Sequence, residues 1–161
     1  MEKMRGGKML DWIQTQFHQW QFRKAKKEFQ QCMAGESVET SPEILFRLMG
    51  LFSQLNPDFR KNIQGFTGIY QFKSEDNKVA VLATFDDEQI TVEEALSPEA
   101  DIVITFKDGR SIINSFFSPR KDILKTLYDN QVALQGNLNY VYKLGFLTDH
   151  IQLAINENLP Q

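Results

Sequence analysis

Residues 65–96 read GFTGIYQFKSEDNKVAVLATFDDEQITVEEAL, and from Gly65 the apolar residues recur with a period of two. Its first segment alternates, with Phe66, Gly68, Tyr70 and Phe72 on one side of the chain, and this period of two is typical of a strand. The polar segments SEDNK and DDEQ separate that strand from two further apolar runs and indicate turns. The stretch therefore predicts a three-stranded antiparallel meander with acidic turns.

The residues on either side of the meander predict helices and two more strands. At 39–52, ETSPEILFRLMGLF offers Thr40 or Ser41 as a helix cap and Pro42 in the first turn, and Asn56-Pro57 ends that helix and starts a short one. After the meander, DIVITFK at 101–107 predicts a central strand buried on both faces. Two helices at 111–130, a short strand VALQG at 132–136 and a closing helix follow. The predicted fold class is α+β, with a five-stranded, mostly antiparallel sheet whose helices cover one face.

The first 40 residues differ from the rest in charge and predict a separate appendage with its linker, leaving 41–161 as the domain. Residues 1–35 hold seven Lys/Arg against three Asp/Glu, a net of +4, and the remaining eleven against eighteen give -7. Residues 8–33 read as a basic amphipathic helix with two apolar stripes on different sides. The first stripe is Leu10, Ile13, Phe17 and Trp20; the second is Phe22, Ala25, Phe29, Cys32 and Met33. A kink, two helices, or one helix touching two surfaces would each produce this change of stripe.

Composition sets the broad class of the protein. The 161 residues carry a net charge of -3, which gives no reason to expect nucleic acid as a partner. A single cysteine, Cys32, rules out an internal disulfide framework and fits a reducing compartment. No apolar run approaches the length that spans a bilayer, so the sequence predicts a cytoplasmic protein.

Catalytic constellations are scarce in this sequence. The two histidines, His18 and His150, fall on different elements, and no four-ligand zinc spacing or Gly-rich phosphate loop is present. Acidic clusters at 86–88, 93–94 and 99–101 lie in turns, where carboxylates ordinarily solvate hairpin ends and less often hold a divalent ion. The prediction is a protein that is not an enzyme, with no catalytic residue, no metal site and no cofactor.

Apolar side chains are more conspicuous than chemistry. In SIINSFFS, residues 111–118, the two Ile and two Phe sweep one arc of about 140° at 100° per residue, and the serines take the rest. Leaving four such side chains in water would forgo roughly 6–12 kcal/mol. They must be covered, either by other side chains of the protein or by an apolar molecule that the protein carries.

The stretch PEADIVITFKDGRSIINSFFSPRKDILKTLYDNQVALQGNLNYVYKLGFL, residues 98–147, resembles the sterol carrier protein type-two (sterol-binding) domain family. The shared features are a strand opening with Ala-Asp, two helices of about ten residues, a strand ending in Gly, and a helix that begins after Gly-Asn. Upstream, residues 66–96 are similar to the opening meander of that family. The resemblance covers roughly residues 43–155 and leaves the N-terminal appendage outside.

The resemblance implies a non-enzymatic carrier that holds a fatty-acyl, sterol-like or isoprenoid chain in an apolar tunnel between sheet and helices. The positions expected to line the tunnel are Ile104, Phe106, Ile112, Ile113, Phe116, Phe117, Ile123, Leu124, Leu127, Tyr128, Leu134, Val141, Leu144, Phe146 and Leu147. A filled core is the alternative at each of them, because protein interiors normally close-pack. The bulk of Phe116 and Phe117 in particular suits either filling or lining.

The partners expected from these patterns are a lipid or fatty-acyl ligand and whatever the appendage touches. Residues 8–33 would rest on an anionic membrane, pack on their own domain, pair in a homodimer or dock a partner protein. The alternative function is accordingly an interaction or accessory module with a filled core, which docks a partner such as a membrane-associated lipid or quinone pathway enzyme through this helix.

Overall fold

A computed structural model of the chain describes residues 3–34, 41–108, 111, 115 and 129–157. Its elements follow in the order α1 (Lys3–Met33), α2 (Ser41–Leu55), α3 (Pro57–Ile63), β1 (Thr67–Ser74), β2 (Ala80–Asp86), β3 (Gln89–Glu93), β4 (Ile102–Phe106), β5 (Val132–Gly136) and α4 (Asn139–Glu157). The predicted α+β class with five strands is confirmed. Ser111 and Ser115 are helical, Asp129 and Asn130 form a turn, and the rest of the two helices predicted at 111–130 lies outside the described residues.

The five strands form a single mixed sheet in the order β3-β2-β1-β4-β5. The pairs β1–β2, β2–β3 and β4–β5 are antiparallel, which confirms the meander. The β1–β4 pair in the middle of the sheet is parallel, with Tyr70 beside Ile102 and Phe72 beside Ile104. The sheet is therefore mostly antiparallel, as predicted, and the parallel pair requires a crossover between β3 and β4.

One face of the sheet carries the core. Side chains at alternate positions of β1, β2 and β4 are buried there, and Ile90 and Val92 of β3 pack against them. The prediction that β4 is buried on both faces is wrong, since its burial alternates: Ile102, Ile104 and Phe106 are buried while Val103 and Thr105 are half-buried. The continuous apolar run arises because Val103 and Thr105 are β-branched, a residue type that suits any strand position.

The crossover from β3 to β4 passes over the second face of the sheet and is held there by Gln71. The side-chain amide of Gln71 donates to the carbonyl oxygens of Val81 (3.2 Å) and Ala95 (2.9 Å), and its oxygen accepts from the backbone N–H of Ser97 (2.9 Å). Gln71 is buried even though it lies on the side opposite the core. A buried polar side chain with all these partners costs little free energy and fixes the path of the connection.

Asp101 and Gly136 close the end of the central strands. The Asp101 carboxylate accepts from the backbone N–H of Ile69 (2.7 Å), and the Asp101 N–H donates to the Ile69 carbonyl (2.9 Å). Gly136 has φ +120°, and a β-carbon there would overlap the Asp101 carbonyl oxygen. The Ala-Asp and Gly-Asn features of the sequence thus meet at one point in space, where only glycine fits.

The N-terminal segment is one continuous α-helix, so the change of stripe does not arise from two separate helices. Phe22, Ala25, Phe29 and Cys32 of its second stripe are buried, and this side of the helix packs on α2, with the rings of Phe22 and Phe52 5.5 Å apart. An ion pair between Glu28 and Arg47 joins the same two helices. The first stripe is exposed, and its last residue, Trp20, borders a small pocket that Arg47 and Leu51 of α2 also line.

Candidate functional site

Aromatic rings fill the space between α2 and the β1–β2 half of the sheet. Phe46 of α2 is fully buried, and its ring centroid lies 5.4 Å from Phe72, 6.1 Å from Tyr70 and 6.1 Å from Phe85. Tyr70 and Phe85 also meet edge to face at 5.4 Å. Rings at these distances are in direct contact. This half of the interior is a packed core.

The start of α4 closes the same cluster over β1. Gly68 gives the Tyr140 ring room to lie on the strand, since a β-carbon at Gly68 would come within 2.5 Å of that ring. The Tyr70 hydroxyl donates to the Tyr140 carbonyl oxygen at 2.9 Å. Burial raises the pKa of Tyr70 far above its usual range, with Tyr140 and Asp101 adding to the effect, so this phenol acts as a fixed hydrogen-bond donor.

The β4–β5 half of the same face carries three of the predicted lining residues. Ile104 and Phe106 of β4 are fully buried, and Leu134 of β5 is half-buried against the core. The strand register sets Leu134 directly beside Ile104, and Val132 directly beside Phe106. Across this half the face is aliphatic except for Phe106, in contrast to the ring cluster over β1 and β2.

Helix α4 contributes the remaining described candidates. Val141, Leu144 and Leu147 are buried along one side of the helix. Phe146 differs from them, because it is 45 % exposed and its ring lies 4.4 Å from that of His150 and 5.9 Å from the Lys143 ammonium. Its place is therefore on the outer side of α4, where a ring serves no interior site.

The other lining candidates lie outside the described residues: Ile112, Ile113, Phe116, Phe117, Ile123, Leu124, Leu127 and Tyr128. Within the same stretch, Ser111 and Ser115 are buried, although sequence polarity alone places them on the solvent side. Their hydroxyls are satisfied locally, since Ser111 donates to the Asp108 carboxylate (2.9 Å) and Ser115 to the Ser111 carbonyl oxygen (2.5 Å). Such bonds let small polar residues enter an interior at little cost.

The acidic turns serve the backbone in this structure. The Asp87 carboxylate accepts from the Gly65 N–H at 2.6 Å, as that of Asp101 does from Ile69. Hydrogen bonds from Ser74 and Lys78 lower the pKa of Asp76 to about 2 in the β1–β2 turn. Across the described ranges no three His, Cys, Asp or Glu side chains come together in a way that would hold a metal ion.

A groove between α1 and the end of α2 is a feature that sequence reasoning missed. It encloses about 590 Å³, with Phe22, Phe52 and Leu55 as apolar walls and Arg23 and Lys26 at its rim. Sequence periodicity places Phe22 on an apolar face of α1 and Phe52 on the apolar face of α2. It does not reveal how closely those two faces approach, and that distance sets the groove.

The first half of α1 carries six of the eleven exposed large apolar side chains in the described part of the chain. From Gly6 to Trp20 every residue is exposed except His18, which is half-buried. We call the large apolar side chains of this half-helix the α1 stripe: Met9, Leu10, Trp12, Ile13, Phe17 and Trp20. Each of them is about half exposed or more. Among the described helices none has the length and apolar character that crossing a bilayer requires.

The order of strands, the parallel β1–β4 pair and the packed helices define this chain as an α+β domain with the sterol carrier protein type-two fold. The domain of "UbiJ-SCP2 Ubiquinone synthesis protein" matches it with a TM-score of 0.52 and 14% identity, over 66% of this chain and 87% of that one. The sterol carrier protein domain 2 of Helicoverpa armigera has a TM-score of 0.46 and 14% identity, over 79% and 95% of the two chains.

The same fold occurs inside a larger enzyme. The stereoselective inverting sec-alkylsulfatase Pisa1 from Pseudomonas sp. matches with a TM-score of 0.52 and 18% identity, over 66% of this chain. This chain spans only 16% of the length of that sulfatase. No protein-family model matches the sequence, and no curated protein is similar to it in sequence. The likenesses to the ubiquinone synthesis protein domain and to the sulfatase confirm the predicted fold.

Proposed function

We propose that this domain is a non-catalytic lipid-binding module that holds a fatty-acyl, sterol-like or isoprenoid chain on the helix-covered face of its sheet. The observation that carries the proposal is the division of that face into two unlike halves. Rings pack against one another over β1 and β2, whereas β4 and β5 present buried aliphatic side chains. The proposal places the hydrocarbon chain against the second half, beside Ile104 and Leu134, which are neighbours in the sheet.

The names of the similar structures support a ligand with a long hydrocarbon part. One is a ubiquinone synthesis protein, and the other is an enzyme named for sec-alkyl sulfates. Both names point to molecules with an isoprenoid or alkyl chain. For this chain we accordingly favour an extended acyl or isoprenoid tail over a compact sterol.

The energetics allow binding without any polar anchor. Burying a sixteen-carbon chain at ~0.8 kcal/mol per CH₂ gives roughly 12–13 kcal/mol gross. Association costs of about 4–15 kcal/mol reduce this to weak or submicromolar affinity. That range suits a carrier that must also release its ligand, and it predicts poor discrimination between chains that differ by one methylene.

Native mass spectrometry of gently purified protein tests the proposal directly. We expect co-purified acyl or isoprenoid species, and displacement of a fluorescent fatty acid by unlabelled fatty acid. Protein that carries no lipid and ignores the fluorescent probe contradicts the proposal.

A pair of substitutions locates the ligand. Leu134→Phe adds bulk to the aliphatic half and should weaken fatty-acid binding while leaving the unfolding free energy within about 0.5 kcal/mol. Ala83→Leu adds bulk beneath the ring cluster, where Ala83 is fully buried, and should cost about 1–3 kcal/mol without a specific effect on binding. If Leu134→Phe destabilises the fold as much as Ala83→Leu does and leaves binding unchanged, the aliphatic half is also a packed core.

The second candidate function is an interaction module with a filled core. The ring cluster favours it, because a packed interior needs no ligand, and α1 would then dimerise or dock a partner protein. Light scattering of the full chain over a wide concentration range should give a mass above that of the monomer if α1 mediates a homodimer. A monomer at every concentration removes the homodimer version.

A further inference from the structure

The α1 stripe points away from the domain. The buried stripe of α1, formed by Phe22, Ala25, Phe29 and Cys32, packs on α2. At 100° per residue, the α1 stripe covers an arc of about 160° centred on the opposite side of the same helix. Its six side chains are all about half exposed or more, so a flat surface can meet the stripe along about 17 Å.

The residues around the stripe are basic. Arg23, Lys24 and Lys27 point in the same direction as the α1 stripe and lie one to two helical turns after its last residue. All three are exposed. The Lys24 ammonium lies 5.8 Å from the Trp20 ring. On the described part of α1 the acidic residues are Asp11, which lies on the polar side of the helix, and Glu28, which pairs with Arg47. The exposed outward face therefore combines aromatic rings with positive charge.

The spacing of the stripe argues against a second helix as its occupant. Leu10, Ile13, Phe17 and Trp20 follow the 3-4-3 spacing of a coiled-coil seam, but the next two seam positions are Lys24 and Lys27. The apolar seam ends after about one and a half heptads, short of the three to four that indicate a coiled coil. A parallel second copy would also bring these lysines against their own counterparts.

We propose that the first half of α1 lies on the surface of an anionic lipid bilayer, with the α1 stripe in the headgroup region and Arg23, Lys24 and Lys27 against lipid phosphates. Trp and Phe favour this depth because their rings are apolar and tolerate partial hydration. Lysine and arginine beside the stripe supply the preference for negatively charged lipid. The inference goes beyond the proposed lipid-holding function and does not depend on it, since α1 binds in this way whether the domain core is filled or open.

Intrinsic tryptophan fluorescence reports on the α1 stripe. Its two tryptophans are Trp12 and Trp20, both on the α1 stripe and 63% and 53% exposed. Vesicles of equal parts phosphatidylcholine and phosphatidylglycerol should shift the tryptophan emission of the full chain to the blue and carry the protein into the pellet. Vesicles of phosphatidylcholine alone should do so much less, and binding to the mixed vesicles should weaken between about 0.01 M and 0.15 M salt.

Two double substitutions make the test specific while keeping both tryptophans. Ile13→Glu with Phe17→Glu places two charges in the stripe and should weaken vesicle binding at least about tenfold. Gln14→Glu with Gln19→Glu adds the same charge to the polar side of the helix and should retain most of the binding. All four positions are exposed, and far-UV circular dichroism checks that each variant remains folded.

A third variant isolates the charge contribution and leaves the stripe intact. Replacing Arg23, Lys24 and Lys27 by Gln should weaken binding to the mixed vesicles by about fivefold per residue. Absence of an emission shift with mixed vesicles overturns the proposal, as does equal loss of binding in the two Glu variants. A dimer in vesicle-free solution that dissociates in the Ile13→Glu, Phe17→Glu variant, with no vesicle binding by the parent, overturns it in favour of a second copy. A negative vesicle result beside a positive fatty-acid result refutes this inference alone.

Discussion

Replacing Gly136 by alanine tests the closure of the central strands. Gly136 ends β5 with φ +120°, a conformation that residues with a β-carbon rarely adopt, and the added methyl group would overlap the Asp101 carbonyl oxygen. That oxygen accepts a hydrogen bond from the Asn137 N–H at 3.0 Å, and Gly136 pairs with Ile102 in the sheet. To admit the methyl group, the end of β5 must move away from β4.

The expected cost follows from these two effects. The backbone strain contributes about 1–3 kcal/mol. Losing the hydrogen bond of Asn137, with its acceptor left partly buried, adds about 1–2 kcal/mol. Together they give about 2–5 kcal/mol, which for a chain of this length lowers the melting temperature by roughly 4–20 °C.

Urea unfolding, followed by circular dichroism, measures the change, and Gly145→Ala is its matched control. Gly145 lies inside α4, and a β-carbon there meets nothing within 4 Å among the described residues, so alanine should stabilise the helix by about 0.5–1 kcal/mol. The two substitutions add the same methyl group and should change stability in opposite directions. A Gly136→Ala protein within about 0.5 kcal/mol of the parent would show that β5 does not depend on this close approach.

Three further substitutions test other parts of the fold. Gln71→Met keeps the length of the side chain but removes its hydrogen bonds to the crossover, so we expect a loss of about 2–4 kcal/mol and faster hydrogen exchange at Ser97; unchanged exchange there would contradict the anchoring role. Phe46→Ala leaves a cavity among three rings and should cost about 3–5 kcal/mol by urea unfolding, whereas a loss below 1 kcal/mol would mean that the interior is not packed there. The pKa of Asp76 is lowered in the folded state to about 2, so its stabilising contribution is present above the unfolded value near 4 and is lost as the pH falls toward 2. Asp76→Asn should therefore flatten the fall of stability across that window, and an unchanged pH profile would refute the assignment.

The strands of the meander were predictable because alternation is a local property. Tyr70 and Phe72 occupy the core face for the same reason that they alternate with polar residues in the sequence. The same logic failed for β4, where Val103 and Thr105 extend an apolar run although they lie on the other face. A β-branched residue is favourable in a strand whichever face it lies on. An unbroken apolar run therefore does not show whether one or both faces of the strand are buried.

Long-range polar contacts were not predictable from pattern. Gln71 reads as a solvent-facing residue, and its burial depends on the crossover that returns over the sheet more than twenty residues later. Ser111 and Ser115 likewise read as polar and are buried, because each hydroxyl finds a partner within one turn. Polarity predicts exposure only where no nearby acceptor compensates for burial.

The sequence predicted which side chains are interior, and whether they line a site stays a prediction. Ile104, Phe106, Leu134, Val141, Leu144 and Leu147 are buried or half-buried, yet every residue of a packed core is equally buried, so burial alone leaves their lining role a prediction. At 100° per residue Phe146 lies on the side of α4 opposite Leu144, so helical periodicity accounts for its exposed ring, which apolar character alone did not predict. The surface that sequence patterns did suggest, the α1 stripe, required the structure to show which of the two stripes packs on α2.

The two proposed surfaces lie on different parts of the molecule, and this separation makes them distinguishable by substitution. The aliphatic half of the sheet is interior, whereas the α1 stripe faces away from the domain. Substitutions at sites that share no neighbours usually have additive effects, so Leu134→Phe should weaken fatty-acid binding without affecting vesicle binding, and Ile13→Glu with Phe17→Glu should do the reverse. A carrier that loads at a membrane predicts a further result: the Glu variant takes up free fatty acid normally but extracts it slowly from mixed vesicles. Equal extraction rates in the parent and the Glu variant would show that membrane contact through α1 does not help the protein take up lipid. The role of α1 would then be that of an anchor.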